Sequence, residues 1–110
     1  MFSGNDKAIL EYVLQMIDEA ERVIERYGGA FLALSDFEGK NSILLNLLQI
    51  GEKLNKIQSE TIRELLPISE TYSIRNRITH DYGGIDLDII ENILIEDFPF
   101  LKRKIIDLIK

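Results

Sequence analysis

The sequence predicts an all-α protein: an up-and-down bundle of four main helices followed by a short C-terminal helix. Three observations carry this reading. Apolar residues recur at spacings of three and four along most of the chain. No segment alternates apolar and polar residues as a half-buried strand does. With 45% apolar and 29% charged residues among 110, the chain suits one core and a single domain over residues 1–110, and it is too apolar for a disordered chain.

The first helix is expected from about Asp6 to Tyr27. Ile9, Val13, Met16, Ala20, Val23 and Tyr27 form its stripe, with Ser3 or Asn5 as cap and Gly28-Gly29 as stop. Residues 30–40 read as a connector holding at most a short helical turn. The second long helix is expected to start near Asn41 or Ser42. Ile43, Leu47, Ile50, Leu54 and Ile57 form its stripe, and Leu44, Leu45 and Leu48 widen it. A wide stripe suits a central helix or one shared between the core and a subunit interface. Ser59-Glu60-Thr61 reads as a break, with a last turn from Ile62 to Leu66. Pro67 is well placed to open a third helix from Ile68 to His80, which Gly83-Gly84 would end. Asp86 reads as the N-cap of a fourth helix, with Asp88 in its first turn. Ile89, Ile93 and either Leu94 or Phe98 would supply that helix's stripe. Pro99 is expected to break it before a short last helix carrying Leu101, Ile105 and Leu108.

Composition removes several kinds of chemistry. The chain has no cysteine, so disulfides, iron–sulfur clusters and thiolate zinc sites are excluded. One histidine excludes a multi-histidine metal site within one chain. No apolar run reaches the roughly 20 residues a membrane helix needs, and residues 1–10 lack a signal-peptide stretch. The expectation is a cytoplasmic protein with no membrane contact, metal or cofactor. The net charge of −6 argues against nonspecific nucleic-acid binding. That charge is uneven, because residues 71–80, TYSIRNRITH, hold two arginines and the histidine and no acid.

This segment continues through Asp81-Tyr82 and reads R-N-x-x-x-H-x-Y. Arginine supplies a permanent forked cation for phosphate oxygens. Histidine exchanges a proton near neutral pH, and asparagine both donates and accepts hydrogen bonds. Together these suffice to cleave RNA without metal. A base takes the ribose 2′-OH proton, a cation steadies the phosphorane, and an acid protonates the leaving oxygen. Arg75 and His80 lie five residues apart, so on a regular helix they point about 140° from each other. Either His80 sits at a frayed end or the site is shared between chains. A lone histidine does not readily act as both base and acid in one step, and a two-fold dimer supplies a second. The simpler alternative is also open. A histidine at a helix end often only faces the dipole, and helix arginines often pair with acids such as Glu70.

The same string resembles the motif of the HEPN superfamily, in particular the HepT-like toxins. Ile50-Gly51-Glu52 resembles their I-G-E, Tyr82-Gly83-Gly84-Ile85-Asp86 their continuation after the histidine, and Glu96-Asp97-Phe98-Pro99-Phe100-Leu101-Lys102 their E-D-L-P-x-L-K. The resemblance implies a small all-α homodimer whose motif helices line a cleft between the subunits. It implies a metal-independent endoribonuclease toxin of a type II-like or AMPylation-controlled pair, acting on RNA and neutralised by a minimal nucleotidyltransferase antitoxin. By position it makes Arg75 and His80 catalytic, Asn76 their support, and Tyr82 the acceptor of AMP. A bulky anion there would repel an RNA phosphate.

Two stretches depart from the pattern. Glu70-Thr71-Tyr72-Ser73 stands where relatives often carry a tryptophan and a small glycine, although Ser73 is small enough for close helix contact. Lys53-Leu54 stands where relatives prefer small residues. Glu52 is a candidate cleft carboxylate orienting Arg75 or His80, or else a polar residue on an exposed turn. Gly51 either permits close helix approach or merely weakens its helix. Arg77, Lys53 and Lys56 could extend a phosphate path, though solvated charge explains them more simply. Two functions compete with the nuclease. One is a non-catalytic nucleotide- or partner-binding subunit of a nucleotidyltransferase complex, and the other is a purely structural helical dimer.

Overall fold

The computed structural model describes residues 3–110, so the first two positions of the expected 1–110 span lie outside it. The chain forms α1 (Gly4–Tyr27), α2 (Ala30–Ser35), α3 (Phe37–Leu54), α4 (Glu60–Leu65) and α5 (Ile68–His80). A 3₁₀ turn over Tyr82–Gly84 leads to α6 (Leu87–Asn92), a π turn (Ile93–Asp97) and α7 (Phe98–Ile109). The expected all-α fold is present, and there is no strand among the described residues.

Ser3 caps α1 by accepting the Asp6 N–H at 3.1 Å. The helix ends in a Schellman arrangement. Gly28 sits at φ 88°, its N–H donates to Glu25 O, and the Gly29 N–H donates to Ile24 O. The connector expected over 30–40 is instead α2 and the first turn of α3, which begins at Phe37 rather than near Asn41. The reason is Asp36, whose carboxylate accepts the N–H groups of Glu38 and Gly39, both at 3.0 Å, and the Tyr27 hydroxyl at 2.8 Å. Gly39 makes the corner possible. A Cβ there would lie 2.4 Å from the Ala33 carbonyl oxygen. The Gly39 N–H and then the Tyr27 hydroxyl hold the Asp36 carboxyl below its usual range, and the same bond raises the Tyr27 phenol. This cap is therefore at full strength above the ordinary carboxylate range and weakens as pH falls through the lowered value.

α3 ends at Leu54, three residues before the expected Ile57, which is nevertheless buried in the loop. Ser59 caps α4 through the Ile62 N–H at 3.3 Å. The buried Asp6 carboxylate accepts the N–H groups of Gln58 and Ser59, each at 3.0 Å, and so ties the start of α1 to this loop. Arg63 donates to the Asn55 and Ile57 carbonyls. α5 spans Ile68 to His80 behind Pro67, as expected, and Asp86 caps α6 through the Asp88 N–H at 2.9 Å.

Pro99 does not break the last helix. Proline lacks the N–H for an i−4 bond and crowds that carbonyl. Here the preceding turn widens, and Phe98 N–H donates to Ile93 O, five residues back. α6, the π turn and α7 therefore form one helical run in place of a fourth helix and a short fifth. Its buried stripe is Ile90, Leu94, Phe98, Leu101 and Ile105, whereas Ile89, expected inside, is exposed.

α3 is the central rod, packed most extensively on α1 and α5, and α7 lies against α1. Lys102 fixes that last contact with ion pairs to Glu21 at 2.8 Å and Asp18 at 3.1 Å. Ile43, Leu44, Leu47, Ile50 and Leu54 are buried, while Leu45 is 53% exposed and Leu48 only partly covered. Leu54, one of the two departures from the small residues of relatives, is absorbed fully into the core. α3 approaches α5 closely at Gly51, while Ser73 is exposed on α5. A Cβ on Gly51 would sit 2.5 Å from the Thr71 carbonyl oxygen and 2.7 Å from Arg75 Cβ.

Gly51→Ala must therefore move backbone and not merely a flexible side chain. The expected outcome is a loss of about 1–3 kcal/mol in urea denaturation, the usual cost of overpacking a core contact. Unchanged stability would show that the two helices separate freely at this point.

Candidate active site on the α3–α5 face

Gly51 brings α3 close enough for its next residue to reach across to α5. The Glu52 carboxylate meets the Arg75 guanidinium at 2.8 Å, Oε1 to Nη2. Arg75 Nη1 donates to Asn76 Oδ1 at 2.9 Å. The guanidinium carbon lies 5.5 Å from the centre of the Tyr72 ring, within cation–π range. Arg75 is 23% exposed at its side chain, yet its Nε is fully covered and has no hydrogen-bond partner among the described residues. The guanidinium is thus held along one edge and over one face, with N–H donors still uncommitted. Glu52, Arg75 and Asn76 form one cluster, and of the two sequence alternatives for Glu52 the geometry matches a carboxylate that orients Arg75.

His80 stands apart from this cluster. It is the last residue of α5, which stays helical up to it, and its side chain is exposed. Among the described residues it makes no hydrogen bond and no ion pair. The helix does not fray before His80, and its side chain makes no hydrogen bond to the Glu52–Arg75–Asn76 cluster. Arg77 also faces elsewhere. It edges a depression with Ile74, Asp81, Ile85, Asp86 and Ile89, without contact to Glu52 or Arg75. Lys53 lies over the Tyr12 ring at 5.2 Å, a packing contact within the bundle.

Tyr82 opens the 3₁₀ turn directly after α5. It is 41% exposed, and its hydroxyl donates to Asn41 Oδ1 on α3. Partial burial pushes its phenol above the ordinary value. The turn itself is exposed, with the Asp81 carboxylate lying beside Gly84. Two members of this face, Asn41 and Tyr72, escape a reading of the sequence. Asn41 is 41 residues from its partner, and Tyr72 falls in the stretch where the motif pattern is not kept.

Among the described residues no three His, Asp or Glu side chains gather as a metal site would require. No helix among them is long and apolar enough to cross a membrane. The second notable recess, floored by Leu47 and Ile50 between α5 and α7, is apolar and contains none of the predicted site residues. The chemistry available on the α3–α5 face is an oriented cation, an amide and a carboxylate, with an accessible imidazole at the end of α5 and a phenol just past it. No solved structure matches the chain. The family profile described as Ribonuclease HepT-like matches residues 13–108, a span that takes in both faces of this cluster and the whole motif, and the chain belongs to that family.

Proposed function

We propose that the chain is a metal-independent endoribonuclease toxin that works as a homodimer. The observation that carries this reading is the state of the two motif side chains. Arg75 is pre-oriented by Glu52, Asn76 and Tyr72, while His80 is exposed and unengaged on another side of the same helix. A two-fold partner completes such a site by bringing a second copy of α5 to the first. In the cleft between them, one His80 accepts the 2′-OH proton and the ribose 2′-oxygen attacks the adjacent phosphorus. Arg75 steadies the charge that develops on the phosphorane. The second His80 gives its proton to the departing 5′-oxygen, leaving a 2′,3′-cyclic phosphate and a 5′-hydroxyl. Asn76 supports the arginine, and Glu52 sets its direction.

The antitoxin in this reading is a minimal nucleotidyltransferase that modifies Tyr82. The phenolic oxygen attacks the α-phosphorus of ATP, pyrophosphate leaves, and the phenol proton passes to a base of the enzyme. The side chain is accessible enough for this, and the added phosphate places negative charge just beyond the helix that carries Arg75 and His80.

The net charge of −6 and the ion pair already occupying Arg75 favour a second reading, a non-catalytic nucleotide- or partner-binding subunit. An RNA cleavage assay separates the two. The purified protein should cut RNA in the presence of EDTA, and His80→Ala should abolish cutting while leaving the fold and dimer intact. Cleavage that needs added metal, or none from the wild type at any concentration, contradicts the nuclease.

Control by AMP has its own test. Incubation with the partner enzyme and ATP should add adenylate mass to the wild type and none to Tyr82→Phe. Equal labelling of that variant would place the acceptor elsewhere.

A further inference from the structure

Arg75 has three restraints of different kinds. Asn76 is its neighbour on α5 and moves with it, so only Glu52 ties the guanidinium to α3. Both of these bonds act along the edges of the guanidinium, in its plane. They fix where the group lies and leave its plane free to tilt about them. Tyr72 lies three residues before Arg75, hence on the same side of the helix, and presents its ring to the guanidinium at 5.5 Å. It is the one aromatic contact to the group among the described residues.

We propose that Tyr72 is a positioning residue for Arg75. Stacking on its ring sets the plane of the guanidinium, and with it the direction of the N–H donors that Glu52 and Asn76 leave uncommitted. As far as catalysis is concerned, the inference rests on the nuclease reading above. The geometric part stands without it. The ring performs this task and the hydroxyl does not, so phenylalanine substitutes for tyrosine and an aliphatic side chain fails.

The test compares Tyr72→Phe and Tyr72→Leu with the wild type by two measurements. The first is NMR of the Arg75 side chain, whose Nη protons should show separate shifts in the wild type and the Phe variant, as a held guanidinium does, and a single averaged shift in the Leu variant. The second is RNA cleavage. Tyr72→Leu should lower kcat by about two- to fivefold, the range a surface cation–π contact supports, with little change in KM, and Tyr72→Phe should restore it. A Leu variant with the wild-type Arg75 shifts and wild-type kcat overturns the proposal. A Phe variant that keeps the separate shifts yet is as slow as Leu overturns it too. Should the Leu variant fail to fold by circular dichroism, the Phe variant alone decides, since it must match the wild type in both readouts. If the wild type does not cut RNA, the nuclease reading fails, and the NMR comparison still decides whether Tyr72 holds Arg75.

Discussion

The close approach of α3 to α5 at Gly51 is the constraint from which the rest of the site follows. With no Cβ between them, the two backbones come near enough for Glu52 to reach Arg75 directly. That contact turns a long, flexible side chain into a fixed one. A free arginine on a helix surface loses rotamer entropy whenever it binds an anion, whereas one already held along an edge and over a face loses less. The burial of Ile50 and Leu54 on one side of Gly51, and of Ile68 and Ile78 at the two ends of α5, keeps the helices at this spacing. The core and the site are thus coupled through one residue with no side chain.

The same contact limits what a single chain can do. Glu52 neutralises part of the charge that would draw an RNA phosphate, and the chain is acidic overall. A second copy of α5 would add a second guanidinium and a second imidazole to the cleft without changing the fold. Tyr82 closes the picture from the far end of α5. Its bond to Asn41 anchors the turn that follows His80 to the start of α3, so both ends of the motif helix lean on the central rod.

Local signals were enough to read most of the fold. Gly28-Gly29, Pro67 and Asp86 each act through the backbone of their own neighbours, and the structure uses all three where the sequence puts them. Long-range compensation hid the remainder. Residues 30–40 look like a connector until the Asp36 cap and the tight corner between Gly39 and the Ala33 carbonyl are known. Pro99 looks like a stop until the π turn before it supplies a wider register, which also moves the buried stripe from Ile89 to Ile90. The site divided the same way. The motif string marked Arg75, Asn76, His80 and Tyr82, and the I-G-E string marked Gly51 and Glu52. Asn41 and Tyr72 stayed invisible, because one acts over 41 residues and the other by a stacking geometry that no spacing rule encodes.

The claim that most needs testing is that the reacting groups come from two chains at once. Wild-type protein and His80→Ala can be mixed in varying proportion at constant total concentration, allowed to exchange subunits, and assayed for RNA cleavage. If each cleft needs both histidines, a dimer with one is inactive and activity follows the square of the wild-type fraction, giving about a quarter of full activity in an equal mixture. Activity that falls in direct proportion to the wild-type fraction, to about half in that mixture, would mean that one histidine suffices for each site and would contradict the two-histidine cleft.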